Sequence, residues 1–244
     1  MSKQLEQALI SIKAMPYYKN DSSRSGKTFN GHEAAISYRL VKAGFKEVTK
    51  DVIPSLTKEV ASEWIASEFE PNTFLLERTD KEHKRKPELT KRFKIMPLGS
   101  FICQPGGSHS FPDFLIRDFD GRFIGLEAKS SESALSPMWN DNLPKKGAIY
   151  VWSTEKANQT TIALGQDIIG DEIIELRKAM SAELELIYEK YKPLTAAADY
   201  TNRGWEIAYR PQNFQLGGAE KTDWFTHADR AKCEKNALKF ALGK

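Results

Sequence analysis

SFPDFLIRDFDGRFIGLEAKSS, residues 110–131, is the stretch on which the fold turns. Apolar residues recur on both sides of Phe119-Asp120-Gly121, the pattern of a β-hairpin. Two loops compete at its tip. A two-residue Asp-Gly turn pairs 119 with 122 and 113 with 128, whereas a three-residue loop with Gly121 left-handed pairs 118 with 122 and 113 with 127. The longer loop sets Phe114 against Leu126, Ile116 against Ile124 and Asp118 against Arg122, while the shorter one sets Phe114 against Glu127. Cross-strand pairing favours the three-residue loop, because a slip of one residue turns the whole apolar set to the wrong face. That register also brings Asp113 beside Glu127, with Lys129 on the same face two residues on. Adjacent carboxylates repel unless a proton or a cation lies between them, and a hard divalent ion such as Mg²⁺ takes such oxygens together with water and phosphate.

Upstream, Leu5, Leu9, Ile12 and Met15 predict a helix that stops at Pro16. A polar loop follows over 19–31, then helices over about 32–43 and 57–69, a short strand TFLLER (73–78), a charged connection and a turn-rich approach, MPLGSFICQPGGSHS (96–110). Downstream, GAIYVWS (147–153) reads as an inner strand of a sheet. Ile173, Leu176, Met180, Leu184, Ile187 and Tyr191 form a stripe at steps of three and four on a long helix ended by Pro193. GWEIAYR (204–210) reads as a later strand, and the last twenty residues as a final helix. With helices and strands interleaved and no repeat or linker, the expectation is one α/β domain over 1–244, a central mixed β-sheet flanked by helices.

A hydrophobic fraction of 40% supplies a real core, and the net charge of +3 leaves any polyanion partner to a local basic patch. The apolar runs are too short to span a membrane, and MSKQLEQALISIKAM is too polar for a secretory signal. Cys103 and Cys233 lie far apart with no metal-type spacing, so the expected setting is cytoplasmic, with no disulfide framework. SGKT (25–28) carries the last residues of a phosphate-binding loop, but Asp21 stands where the pattern needs glycine, and no nucleotide cofactor is expected.

Pro112-Asp113, thirteen residues, then Glu127-Ala128-Lys129 resembles the PD-(D/E)xK motif of the nuclease superfamily that includes most type II restriction endonucleases. Apolar residues precede both parts, and Ser130-Ser131 follows the lysine. The resemblance implies a restriction-endonuclease-like core in which Asp113, Glu127 and the Ala128 carbonyl hold Mg²⁺, with Mn²⁺ as substitute, and Lys129 assists the attacking water. Many members add a glutamate from an N-terminal helix, and Glu33 is the candidate. It shares a helical face with Ile36, Leu40 and Val41, so it is expected to start a buried stripe, an expensive place for a lone carboxylate.

DNA contacts are expected from Lys84 and Arg85 in the basic run 81–94, and from SPMWNDNLPKKG (136–147). There Trp139, Asn140 and Asn142 suit base edges, and Lys145 suits phosphates. The function implied is a Mg²⁺-dependent, sequence-specific double-stranded DNA endonuclease of the type II restriction class. Its alternatives are a repair or recombination nuclease of the same superfamily, or a non-catalytic DNA-binding protein. One Asp-Glu-Lys cluster per chain cuts one strand at a time, so a homodimer is expected.

Overall fold

The computed structural model describes residues 3–19, 31–49, 94–106, 111–137, 139, 143–198 and 223–244. The expected helix at 57–69, the strands at 73–78 and 204–210, and all of the basic run before 94 lie outside them. Helix α1, Lys3–Lys13, is built from strong helix formers and turns Leu5, Ala8, Leu9 and Ile12 into the core before Pro16. Helix α2, His32–Lys42, follows, and then the short strand β1, Lys46–Glu47. The rest of the sheet is β2 (Ser100–Cys103), β3 (Phe114–Arg117), β4 (Phe123–Ser131), β5 (Ile149–Thr154) and β6 (Gln159–Leu164). The turn α3, Gly165–Ile168, leads to the long helix α4, Asp171–Ala198, and the final helix α5 spans Arg230–Ala241.

The six strands lie in chain order in one mixed sheet. β1 runs parallel to β2, β4 parallel to β5, and the other neighbours are antiparallel. The hairpin takes the register of the three-residue loop: Phe114 pairs with Leu126 and Ile116 with Ile124. Gly121 sits at φ 88°, and the Asp118 amide donates to the Arg122 carbonyl at 2.9 Å. Arg122 then locks the turn, pairing with the fully buried Asp118 and with Asp120, and donating to the carbonyls of Phe240 and Ala241 at the end of α5.

Strand alternation sorts the sheet into two faces. One carries Phe101, Phe114, Ile116, Ile124, Leu126, Ile149, Val151, Ile162 and Leu164, and packs with α1, α2 and α5 in the main core. The other carries a smaller aromatic cluster around Trp139, Ala148 and Tyr150, with Phe111, Ile168 and Trp224. β5 is an inner strand, buried along its whole length, as GAIYVWS implies.

Several elements differ from the sequence reading, the short β1 and α3 among them. SFIC lies inside the stretch read as turn-rich, yet forms β2, because pairing with β3 and a Phe101–Phe114 ring contact at 6.2 Å outweigh the turn residues on either side. QTTIAL forms β6, closed onto β5 by a tight turn over 155–158 with Asn158 at φ 48°. Helix α4 continues through Pro193 to Ala198, and the Thr195 hydroxyl donates to the Tyr191 carbonyl at 3.2 Å near the proline. The stripe on α4 is also not consumed by the core. Ile173, Leu176, Met180, Ile187 and Tyr191 are each more than half exposed.

Candidate active site

The hairpin register fixes the first three groups. Asp113 immediately precedes β3, and Glu127 and Lys129 project from β4 on the face away from the main core. The Asp113 carboxylate accepts a hydrogen bond from the Ala128 amide at 2.8 Å, and the Asp113 amide donates to Glu127 Oε2 at 3.2 Å. Lys129 Nζ pairs with Glu127 Oε1 at 2.8 Å. Asp113, Glu127, Ala128 and Lys129 are thus one bonded unit.

A third carboxylate arrives from α2. Glu33 is exposed and borders the buried side of its helix, which is made by His32, Ala35, Ile36 and Leu40. The expectation that it starts the buried stripe is therefore corrected: Val41 is 48% exposed, and the buried side of α2 is rotated toward His32. Glu33 instead accepts a hydrogen bond from Gln104 Nε2 at 3.1 Å, and the Gln104 amide donates to the Asp113 carbonyl at 2.6 Å. Gln104 was not singled out from sequence. Its one local signal is the turn in Gln104-Pro105-Gly106, where Gln104 adopts φ 44°, a region L-residues seldom enter.

Electrostatics follow from that crowding. Burial, and then the charge of Glu127, push the Asp113 carboxyl up to about 7; Glu33 adds to the rise, and the Ala128 amide and Lys129 oppose it. Burial pushes the Cys103 thiol up to about 12, helped by Glu47, Glu33 and Asp113. Both groups are raised first by burial and then by neighbouring carboxylates at this end of the sheet. Among the described residues no three of His, Cys, Asp and Glu form a closed metal cage. Two carboxylates with a backbone carbonyl are an open set, the kind Mg²⁺ completes with water and phosphate oxygens. The residues fit such an ion.

The expected DNA-reading residues fare differently. Asn140, Asn142, Lys84 and Arg85 lie outside the described residues. Trp139 is 5% exposed, edge-on to Tyr150 at 5.3 Å and 6.2 Å from Trp224, so its ring is a plug in the second cluster and not a surface for bases. Burial of a large aromatic ring outweighs exposure here, and its partner Trp224 is 85 residues away along the chain. Lys145 is equally buried, with Nζ 5.2 Å from the Phe111 ring centroid, so it is not the surface phosphate anchor expected of it.

No protein-family model, curated protein or solved structure matches this chain.

Proposed function

We propose that this chain is a Mg²⁺-dependent endonuclease of the PD-(D/E)xK superfamily, hydrolysing phosphodiester bonds in double-stranded DNA as a type II restriction enzyme. The observation that carries this reading is the bonded unit of Asp113, Glu127, Ala128 and Lys129 on one hairpin, with Glu33 joined to it through Gln104. Mixed strand directions and helices on the core face accord with a restriction-endonuclease-like core.

Asp113, Glu127 and the Ala128 carbonyl would hold Mg²⁺, with Mn²⁺ as substitute. When bound, the ion supplies Lewis-acid stabilisation of charge on the phosphate and a more acidic water. Lys129, tethered by Glu127, orients the attacking water by donating a hydrogen bond to it, and the water's proton passes to solvent. Glu33, held at the rim by Gln104, would accept a hydrogen bond from a bound water.

Two-strand cleavage calls for two such sites, and helix α4 supports a homodimer. Six of its seven exposed large apolar residues, all but Leu186, are mirror-spaced about the 183–184 midpoint: Ile173 with Leu194, Leu176 with Tyr191, Met180 with Ile187. Two antiparallel copies of that helix would place each member of a pair beside the other. A cytoplasmic setting accords with Cys103 and Cys233, both free thiols. Among the described residues no helix is long and apolar enough to cross a membrane.

The test is digestion of plasmid DNA with Mg²⁺ and mapping of the ends. Discrete fragments, lost in Glu127→Ala and Lys129→Ala, are the expected result. Cutting that depends on branches or ends points to a repair nuclease, and metal-independent binding without cutting to a non-catalytic protein.

A further inference from the structure

A second lysine, Lys145, is buried against Phe111, two residues before Asp113, with its backbone held by Tyr150, the strand neighbour of Glu127. The Lys145 amide donates to Tyr150 Oη at 2.8 Å, and its carbonyl accepts from the Ala148 amide at 3.3 Å. The same carbonyl lies where a Cβ on Gly165 would fall, at 1.9 Å, so the next element is pressed against this backbone. The side chain is buried, its ammonium over Phe111, whose ring lies 6.4 Å from that of Tyr150. These two rings flank the site. Phe111 is two residues before Asp113, and Tyr150 is the register partner of Glu127 on the neighbouring parallel strand, on the same face.

A buried ammonium is expensive unless an anion faces it. Burial lowers the Lys145 pKa to about 8, and the charge acting in the other direction is that of Glu127. Cation–π attraction to Phe111 offsets part of the desolvation. We propose that Lys145 is a built-in counter-cation of the Asp113–Glu127 pair, a positioning residue that steadies Glu127 in the ion-free site and opposes the divalent ion that enters it. The inference rests on reading Asp113 and Glu127 as a divalent-ion pair.

The sign of one measurement separates this role from packing and from DNA binding. Lys145→Met keeps the length and apolar stem and removes the charge. In the absence of DNA, calorimetric titration with Mn²⁺ should show Lys145→Met binding the ion about threefold or more tighter than wild type, since a like charge near the site is gone. Lys145→Arg should return the affinity toward wild type. Damage to packing moves affinity the other way, and a phosphate contact would instead weaken duplex binding and flatten its salt dependence. Unchanged or weaker Mn²⁺ binding in a folded Lys145→Met protein overturns the proposal, and Lys145→Gln supplies the same reading should the Met variant fail to fold. Wild-type protein that binds Mn²⁺ but cuts no DNA ends the nuclease reading and leaves this one standing. Wild-type protein that binds no Mn²⁺ ends the counter-cation role.

Discussion

Replacing Asp113 by asparagine should make the metal-free protein more stable while destroying its cleavage. The carboxyl titrates at 3.8 when unperturbed and at about 7 in the fold, raised by burial and by the charges of Glu127 and Glu33. The folded state therefore binds this proton more tightly than the unfolded chain does. Stability carried by the proton is full below about 4 and is lost as pH rises through about 7. At pH 8 the ionised side chain opposes folding by at most about 4 kcal/mol, and solvent reaching the carboxyl brings the expected figure to about 1–3 kcal/mol. Asparagine keeps an oxygen for the Ala128 amide and has no charge to set against Glu127. Urea unfolding in chelator at pH 8 and pH 4 measures the difference. Asp113→Asn should be the more stable by about 1–3 kcal/mol at pH 8, with most of the gap gone at pH 4. Equal or lower stability at pH 8 would refute the claim that like charge is stored at this site.

Three further outcomes follow from other parts of the molecule. His32 is buried on α2, and burial lowers its pKa from 6.5 to about 4, so stability is full above 6.5 and falls as the pH drops toward 4, by up to about 3 kcal/mol. His32→Gln should lose that part of the acid slope, and an unchanged slope in denaturant titrations at pH 7 and 4.5 would show that His32 plays no part in it. Arg122→Ala should cost about 3 kcal/mol, since it strands the buried Asp118 and frees the last carbonyls of α5; a loss below about 1 kcal/mol by urea unfolding counts against the lock. Met180→Glu with Ile187→Glu should turn a dimer into a monomer in sedimentation at micromolar protein. A wild-type monomer on each cognate duplex, with nicked plasmid preceding linear product, would replace the dimer by sequential nicking.

The hairpin could be read from sequence because its competing registers differ in contacts between residues fewer than twenty apart. Phe114 against Leu126 is a local choice, and the placing of Asp113, Glu127 and Lys129 on one face follows from it without reference to the rest of the chain. Helix α1 was legible in the same way, from apolar spacing and a breaker within one segment. The misreadings turn on packing between elements, near or distant in the chain. SFIC becomes a strand only beside β3, Trp139 is buried only because Trp224 returns to it, and Lys145 is drawn inside by Phe111 and Tyr150. Glu33 meets Asp113 through Gln104, 71 residues from the glutamate. Nor does a helical stripe state its own use: α2 and α4 both carry one, but burial depends on what packs against it. Periodicity fixes which side chains share a face, because that is backbone geometry within one element. Which face meets water is settled by long-range packing, where area removed from solvent is weighed against the cost of stranding charge.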